Sequence, residues 1–434
     1  MKAGPNAPPQ KGVRGWRPSG KSGARPGIGE PGNPTTYGSC RADCHRSFID
    51  LQSGGLPTDL EGHRRRQAPS QSGNRHTGTE ISTVNRRSFL LASSAAAFAA
   101  PALPAFAQAA SITGAGATFP RPVYERWGQA AREPLSVTLN YQSIGSGGGI
   151  NQITNRTVDF GATDAPLTAA QLTERSLLQF PTVMGSVVLI VNIPGVADNA
   201  LRLTPEVVAD LFLGRITRWN DAKLVELNRD IRLPNLPVSP TYRADASGTT
   251  FVFTTYLARV SEAWKSGPGA ATSVQWPVGN GARGNEGVSN TVRNTPGAIG
   301  YTENAYATVN RLITTQLRNK AGNFVRPEMP NFLAAAEVAD WSAPGFAADL
   351  IDLAGANVWP IVSPTFILLP TNPAADKVAG SLNTMKFFDW CFKNGAEAAR
   401  RLEYIPVPDA VHGRVRAAWA AQVKNPAGQP IWTA

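Results

Sequence analysis

From residue 113 onward the chain repeats one local arrangement: a short apolar run of strand character, a cluster of glycine, serine and threonine, then an amphipathic stretch. Strand and helix patterns that alternate in this way argue for an α/β fold rather than an all-β one. The strand candidates are residues 137–139, 186–191 and 365–369, each a run of β-branched or large apolar side chains. Helix starts are equally legible. Thr168 with Gln171 three residues on forms a capping box, and Thr204-Pro205-Glu206 places a cap and then a proline in the first turn. In the second of these helices Val207, Val208, Leu211 and Phe212 share a face and Gly214 closes it. A last amphipathic helix is expected over 382–392, and no internal repeat is visible.

A chain of 434 residues with 42% hydrophobic and 17% charged side chains can bury a large core and is long enough for two or three domains. No run of apolar residues is long and clean enough for a polytopic membrane protein. The net charge of +11 is unevenly placed: residues 1–110 hold 14 Lys+Arg against six Asp+Glu, so the rest is close to neutral. That distribution provides no bulk field for DNA or RNA, and no nucleic-acid partner is expected.

Residues 1–84 are rich in Gly, Pro, Ser and Arg and read as a disordered or mis-started extension. Cys40, Cys44 and His45 lie there without a second ligand pair at zinc-finger distance, so no metal is expected. Residues 85–107 open on Asn85-Arg86-Arg87-Ser88-Phe89-Leu90-Leu91 and end on Ala105-Phe106-Ala107, the layout of a cleavable signal whose paired arginines resemble a twin-arginine export signal. The body beyond it has one cysteine, Cys391, and one histidine, His412, which excludes an internal disulfide and a Cys/His metal site; no cofactor is expected. His412 is expected on the exposed side of a helix.

Four segments place small hydroxyl or glycine residues where a helix should begin: 113–120, 141–149, 161–166 and 243–250. The first turn of a helix leaves N–H groups unpaired and carries a partial positive charge, so several such starts aimed at one cavity would hold an oxyanion without bulk basicity. Glycine permits close approach, and Ser or Thr adds hydroxyl donors. A fifth candidate, Gly279-Asn-Gly281-Ala-Arg-Gly284, matches G-x-G-x-x-G formally. Trp276-Pro277 immediately before it spoils a central strand, and it is expected to be a loop rather than a nucleotide site. Ser146 lacks a nucleophile-elbow setting because Ile144 stands in the first glycine place, and no histidine is near in sequence. No catalytic residue, and no enzyme, is expected.

These residues carry a resemblance. Residues 112–434 resemble the periplasmic phosphate-binding protein of the high-affinity phosphate ABC importer. The match rests on Thr-Gly-Ala-Gly-Ala-Thr-Phe-Pro at 113–120, Val-Asp-Phe-Gly-Ala-Thr-Asp-Ala-Pro-Leu at 158–167 and Phe-Pro-Thr-Val-Met-Gly at 180–185. It continues in Arg-Ala-Asp-Ala-Ser-Gly-Thr-Thr-Phe-Val-Phe at 243–253, Pro-Gly-Ala-Ile-Gly-Tyr at 296–301 and Lys-Phe-Phe-Asp-Trp at 386–390.

The resemblance implies a type II-like two-lobed binding-protein fold whose chain crosses between lobes twice, near 181–186 and 359–366. Lobe one would comprise 108–183 and 363–434, and lobe two 184–362. It implies phosphate contacts from Thr118, Phe119, Ser146, Asp164, Arg243, Ser247, Gly248 and Thr249, with Asp245 holding Arg243. It further implies a periplasmic monomer that delivers phosphate to a membrane permease and its ATPase. Two positions depart from the family pattern: Ala246 replaces a usual glycine, and Gly147 stands where serine is frequent. Asp164 bears on the choice of anion, because a carboxylate facing an anion is repelled unless the ligand carries a proton for it to accept. Phosphate at neutral pH does and sulfate does not. The competing readings are a secreted phosphohydrolase and a carrier of another tetrahedral oxyanion such as arsenate.

Overall fold

A computed structural model describes residues 110–433; the expectations for 1–84 and 85–107 lie outside the described residues. The body opens as a β/α unit. β1 (Ala110–Gly116) leads into α1 (Arg121–Leu135), and β2 (Val137–Ser143) into α2 (Ser146–Thr154), followed by β3 (Phe160–Thr163). β1 lies between β2 and β3, parallel to both. The helix at Ala169–Glu174 carries the capping box read from Thr168 and Gln171. The pivotal strand is β4 (Leu177–Val191), fifteen residues long and buried throughout, far longer than the 186–191 expected from sequence.

The helix predicted after Thr204 is present at Pro205–Phe212, with Thr204 accepting from the Val207 N–H. The second half then repeats the opening arrangement. β5 (Ser239–Arg243) leads into α3 (Gly248–Val260), and β6 (Asn280–Ala282) into α4 (Gly284–Asn294) and β7 (Ala298–Glu303). After β7 the chain reaches β8 (Val362–Pro370), then α5 (Val378–Asn394) and α6 (Asp409–Gln422). The expected last helix at 382–392 is therefore the core of α5, and it is not the last.

Among the described residues the main, ten-stranded curled sheet runs β2-β1-β3-β8-β4-β7-β5-β6, with two short strands paired to β4 off this path, and a separate three-stranded sheet lies apart from it in the pairing. β4 joins its halves: residues from Leu177 to Ser186 pair antiparallel with β8, and Val187 to Val191 pair antiparallel with β7. The returning chain passes the same point, since Val187 N–H donates to Ile361 O at 2.9 Å and Trp359 Nε1 donates to Val187 O at 3.0 Å. Pro181 is accommodated within β4 because the register with β8 shifts between Thr365 and Phe366, where a missing N–H does least harm. One half packs Tyr124, Phe160, Phe180, Phe388 and Trp419 edge to face, and the other stacks Phe253 on Tyr301.

Two expectations are corrected. His412 is buried, with its ring stacked on Phe392 at 4.2 Å between centroids, because the inner face of α6 packs on α5. Gly279–Gly284 is not a plain loop: it supplies edge strand β6 and the first residue of α4. Trp276-Pro277 ends before the strand begins, so the proline blocks nothing.

Candidate functional site

Every residue expected to contact the ligand is buried, with Asp245 half-buried beside them, and the chain brings them together from both halves of the sheet. Thr118 and Phe119 lie between β1 and α1, Ser146 opens α2, Asp164 follows β3, Arg243 ends β5, and Ser247 caps α3 ahead of Gly248 and Thr249. Three of the four segments singled out in the sequence thus precede a helix directly. The fourth, around Asp164, is a strand end.

The closeness of the two halves is measured at the glycines. A Cβ on Gly248 would lie 2.4 Å from both Asp164 Oδ2 and Ser146 Oγ, so only glycine lets α3 approach this near. A Cβ on Gly145, whose φ is +87°, would lie 2.5 Å from Asp245 Oδ2. Gly147 N–H donates to Ala246 O at 3.0 Å, a backbone bond between the starts of α2 and α3. At the rim Arg121 Nη1 meets Glu286 Oε1 at 2.6 Å.

The hydroxyls are oriented by the fold. Thr118 Oγ1 accepts from the Asn285 N–H at 3.3 Å, Ser146 Oγ from the Asp164 N–H at 3.3 Å, and Ser247 Oγ from the Thr250 N–H at 3.1 Å. Thr249 Oγ1 accepts from Arg243 Nη1 at 3.4 Å. A hydroxyl that accepts one hydrogen bond keeps its own proton to give. All four are therefore set as donors, alongside those first-turn N–H groups of α2 and α3 that, unlike Gly147 and Thr250, are not already bonded.

Arg243 completes the donor set. Its Nε donates to Asp245 Oδ1 at 2.9 Å, Nη2 bonds the other carboxylate oxygen, and Nη1 also reaches Asn285 Oδ1 at 3.2 Å. Asp245 is fixed in turn by the Gly284 N–H at 3.1 Å. Burial works against ionisation of Asp245, but the bond and charge of Arg243 outweigh it and hold that carboxyl below its ordinary range. The guanidinium plane is thus clamped before any ligand arrives.

Against these donors stands a single acceptor. Asp164 Oδ1 takes the Thr365 hydroxyl proton at 2.6 Å, whereas Oδ2 is buried with no partner. Burial pushes this carboxyl up to about 7, with the Thr365 hydroxyl, the Arg243 charge and the Ser146 hydroxyl pulling it down. A chamber of converging donors and one half-bonded carboxyl suits a small anion that itself carries a proton.

Sequence reasoning passed over several neighbours. Asn285 is fully buried with Nδ2 unpartnered, and it touches both Thr118 and Arg243. Its signal was the Gly284-Asn285 start of α4, which lies in the segment read as a loop. Tyr306 donates to Thr118 O and Tyr404 to Phe119 O, each at 2.6 Å, so consecutive carbonyls of one loop are each held by a tyrosine. Nothing local in the sequence marks these tyrosines or Thr365.

Comparison with known proteins bears on the fold and the family. Residues 99–392 match the family model described as a PBP superfamily domain. The phosphate-binding protein PstS of Pasteurella multocida is 44% identical over 326 residues, covering 75% of this chain and 94% of that protein. The PstS of Haemophilus influenzae is also 44% identical, covering 74% and 96%. Among solved structures, a phosphate binding protein from Stenotrophomonas maltophilia superposes with a TM-score of 0.58 at 22% identity, covering 74% of this chain and 99% of that one. The fold is therefore the two-lobed one the resemblance implied. With identity of this order across nearly the whole of its relatives, the chain belongs to the PstS family of phosphate-binding proteins.

Proposed function

We propose that the protein captures inorganic phosphate between its lobes and delivers it to the permease and ATPase of an ABC importer, binding the ion without converting it. The observation that carries the reading is the unpartnered, buried Oδ2 of Asp164 in a site whose four hydroxyls are set as donors. Thr118, Phe119, Ser146, Asp164, Arg243, Ser247, Gly248 and Thr249 form the ligand shell, with Asp245 as the clamp on Arg243. Lobe one comprises 108–183 and 363–434, and lobe two 184–362, so that closure brings α3 onto Asp164 and Ser146. Closure follows binding because the ligand bridges groups that only the shut form unites. The signal-like 85–107 supports export to the periplasm by the twin-arginine route; there the protein acts as a monomer. The names of the relatives support phosphate as the ligand.

Calorimetry of the purified body with phosphate and with sulfate tests the reading. Phosphate is expected to bind in a one-to-one ratio with sulfate weaker by roughly 10⁴-fold, the discrimination available to a site built around a ligand hydroxyl. Equal affinity for the two anions overturns it. Release of phosphate from a chromogenic ester would instead make the protein a hydrolase.

A further inference from the structure

One buried carboxyl lies beside the site without belonging to it. Glu303 ends β7, is fully buried, and has no hydrogen-bond partner for Oε1. That oxygen lies beside Gly185 and the Phe119 ring: a Cβ on Gly185 would be 3.2 Å from Oε1 and 2.6 Å from the ring. Oε2 lies 2.7 Å from the Tyr404 hydroxyl and accepts the Ala305 N–H at 3.0 Å. The same Tyr404 hydroxyl lies 2.6 Å from the carbonyl of Phe119, in the loop assigned to the anion.

Counting protons decides the arrangement. A tyrosine hydroxyl has one proton, and a carbonyl can only accept. If Tyr404 donates to Phe119, the short contact between Tyr404 and Glu303 needs a second proton, and the carboxyl is the group able to carry it. An ionised Glu303 would instead take the tyrosine proton and leave the Phe119 carbonyl without its donor. The charged groups that act most on Glu303, Asp164 and Glu403, are both acids, whereas Arg121 and Arg243 act on the neighbouring Tyr306. Burial pushes the Glu303 carboxyl well above its ordinary range, against the pull of the Tyr404 and Ala305 bonds.

We propose that Glu303 is a positioning residue of the anion loop, an uncharged acid that donates to Tyr404 and so commits the tyrosine proton to the Phe119 carbonyl. With Tyr306 on the preceding carbonyl, this holds the Thr118–Phe119 and Phe119–Pro120 peptides, so that the Phe119 N–H carried by the first of them keeps its aim at the anion. The inference rests on the reading that this loop binds the anion.

Its test compares Glu303→Gln, Glu303→Ala and Tyr404→Phe by calorimetry with inorganic phosphate, alongside infrared spectra of the unmutated protein and Glu303→Gln in mild alkali, where Asp164 is ionised. Glu303→Gln, a neutral donor, is expected to bind within about threefold of the unmutated protein, while Glu303→Ala and Tyr404→Phe weaken binding by roughly tenfold or more. The C=O stretch of a protonated carboxylic acid should be present and vanish in Glu303→Gln. Loss of affinity in Glu303→Gln as large as in Glu303→Ala, full affinity in both Glu303→Ala and Tyr404→Phe, or absence of that band overturns the proposal. If the unmutated protein binds no phosphate, the ligand reading fails, and the infrared band still decides whether Glu303 keeps its proton.

Discussion

Asp164 and Arg243 oppose one another across the candidate site, and their substitutions should fail in different ways. Asp164→Asn offers an amide N–H to any tetrahedral oxyanion, so the preference for phosphate over sulfate is expected to shrink by about 100-fold, mainly through tighter sulfate binding. Calorimetry with both anions measures this. Arg243→Ala removes the guanidinium and leaves the Asp245 carboxylate bare beside the ligand, at a cost of about 2–5 kcal/mol in phosphate affinity. A change under about tenfold would show that helix-start donors suffice alone. The polarity argument for these residues was legible in sequence only as types: a carboxylate, an arginine and several hydroxyls. That each hydroxyl already accepts a hydrogen bond, and is thereby left as a donor, depends on N–H groups of residues as distant as Asn285 from Thr118.

The helix starts are the working elements, and two unexplained positions in the sequence are explained where two starts touch. A Cβ added to Gly147 would lie 2.5 Å from the Cβ of Ala246, so a side chain is admitted at one position only if the other is glycine. The two departures that the resemblance implied, alanine at 246 and glycine at 147, thus meet across the contact between α2 and α3. Gly147→Ser alone should force these helix starts apart and weaken phosphate binding by about tenfold, because overpacking of this kind costs roughly 1–3 kcal/mol. Adding Ala246→Gly should restore it, and a double-mutant cycle reads the coupling. Caps such as Thr168 and Thr204 were readable because they are local bonds, completed within three residues. The start of α4 was missed because its preceding strand has three residues and lies at the sheet edge, too short to leave a periodic signal.

For the molecule as a whole, burial of Asp164 couples the anion site to stability. Unfolded, an aspartate has released its proton by about pH 4, whereas here it is kept to about 7. Between those values the folded state binds more protons, so stability should fall as pH rises and level off above the upper value. His412 acts in the opposite sense, since burial lowers its pKa and acidification favours the unfolded chain. Thermal melts of the phosphate-free protein across this range should therefore show a downward slope with rising pH that Asp164→Asn makes shallower, leaving the contribution of Glu303, of the same sign, and that of His412, of the opposite sign; identical profiles would show that Asp164 does not hold its proton. The sequence by itself determined what local chemistry can specify: alternating elements, caps, the small residues that permit close backbone approach and a near-neutral body able to bind an anion only through oriented donors. Tertiary structure alone decided which of these meet. β4 spans both halves of the sheet, and the return past Val187 sets one half against the other. Pairing of that kind joins residues far apart in the chain through backbone bonds that any side chain can make, so no pattern of side chains announces it in advance.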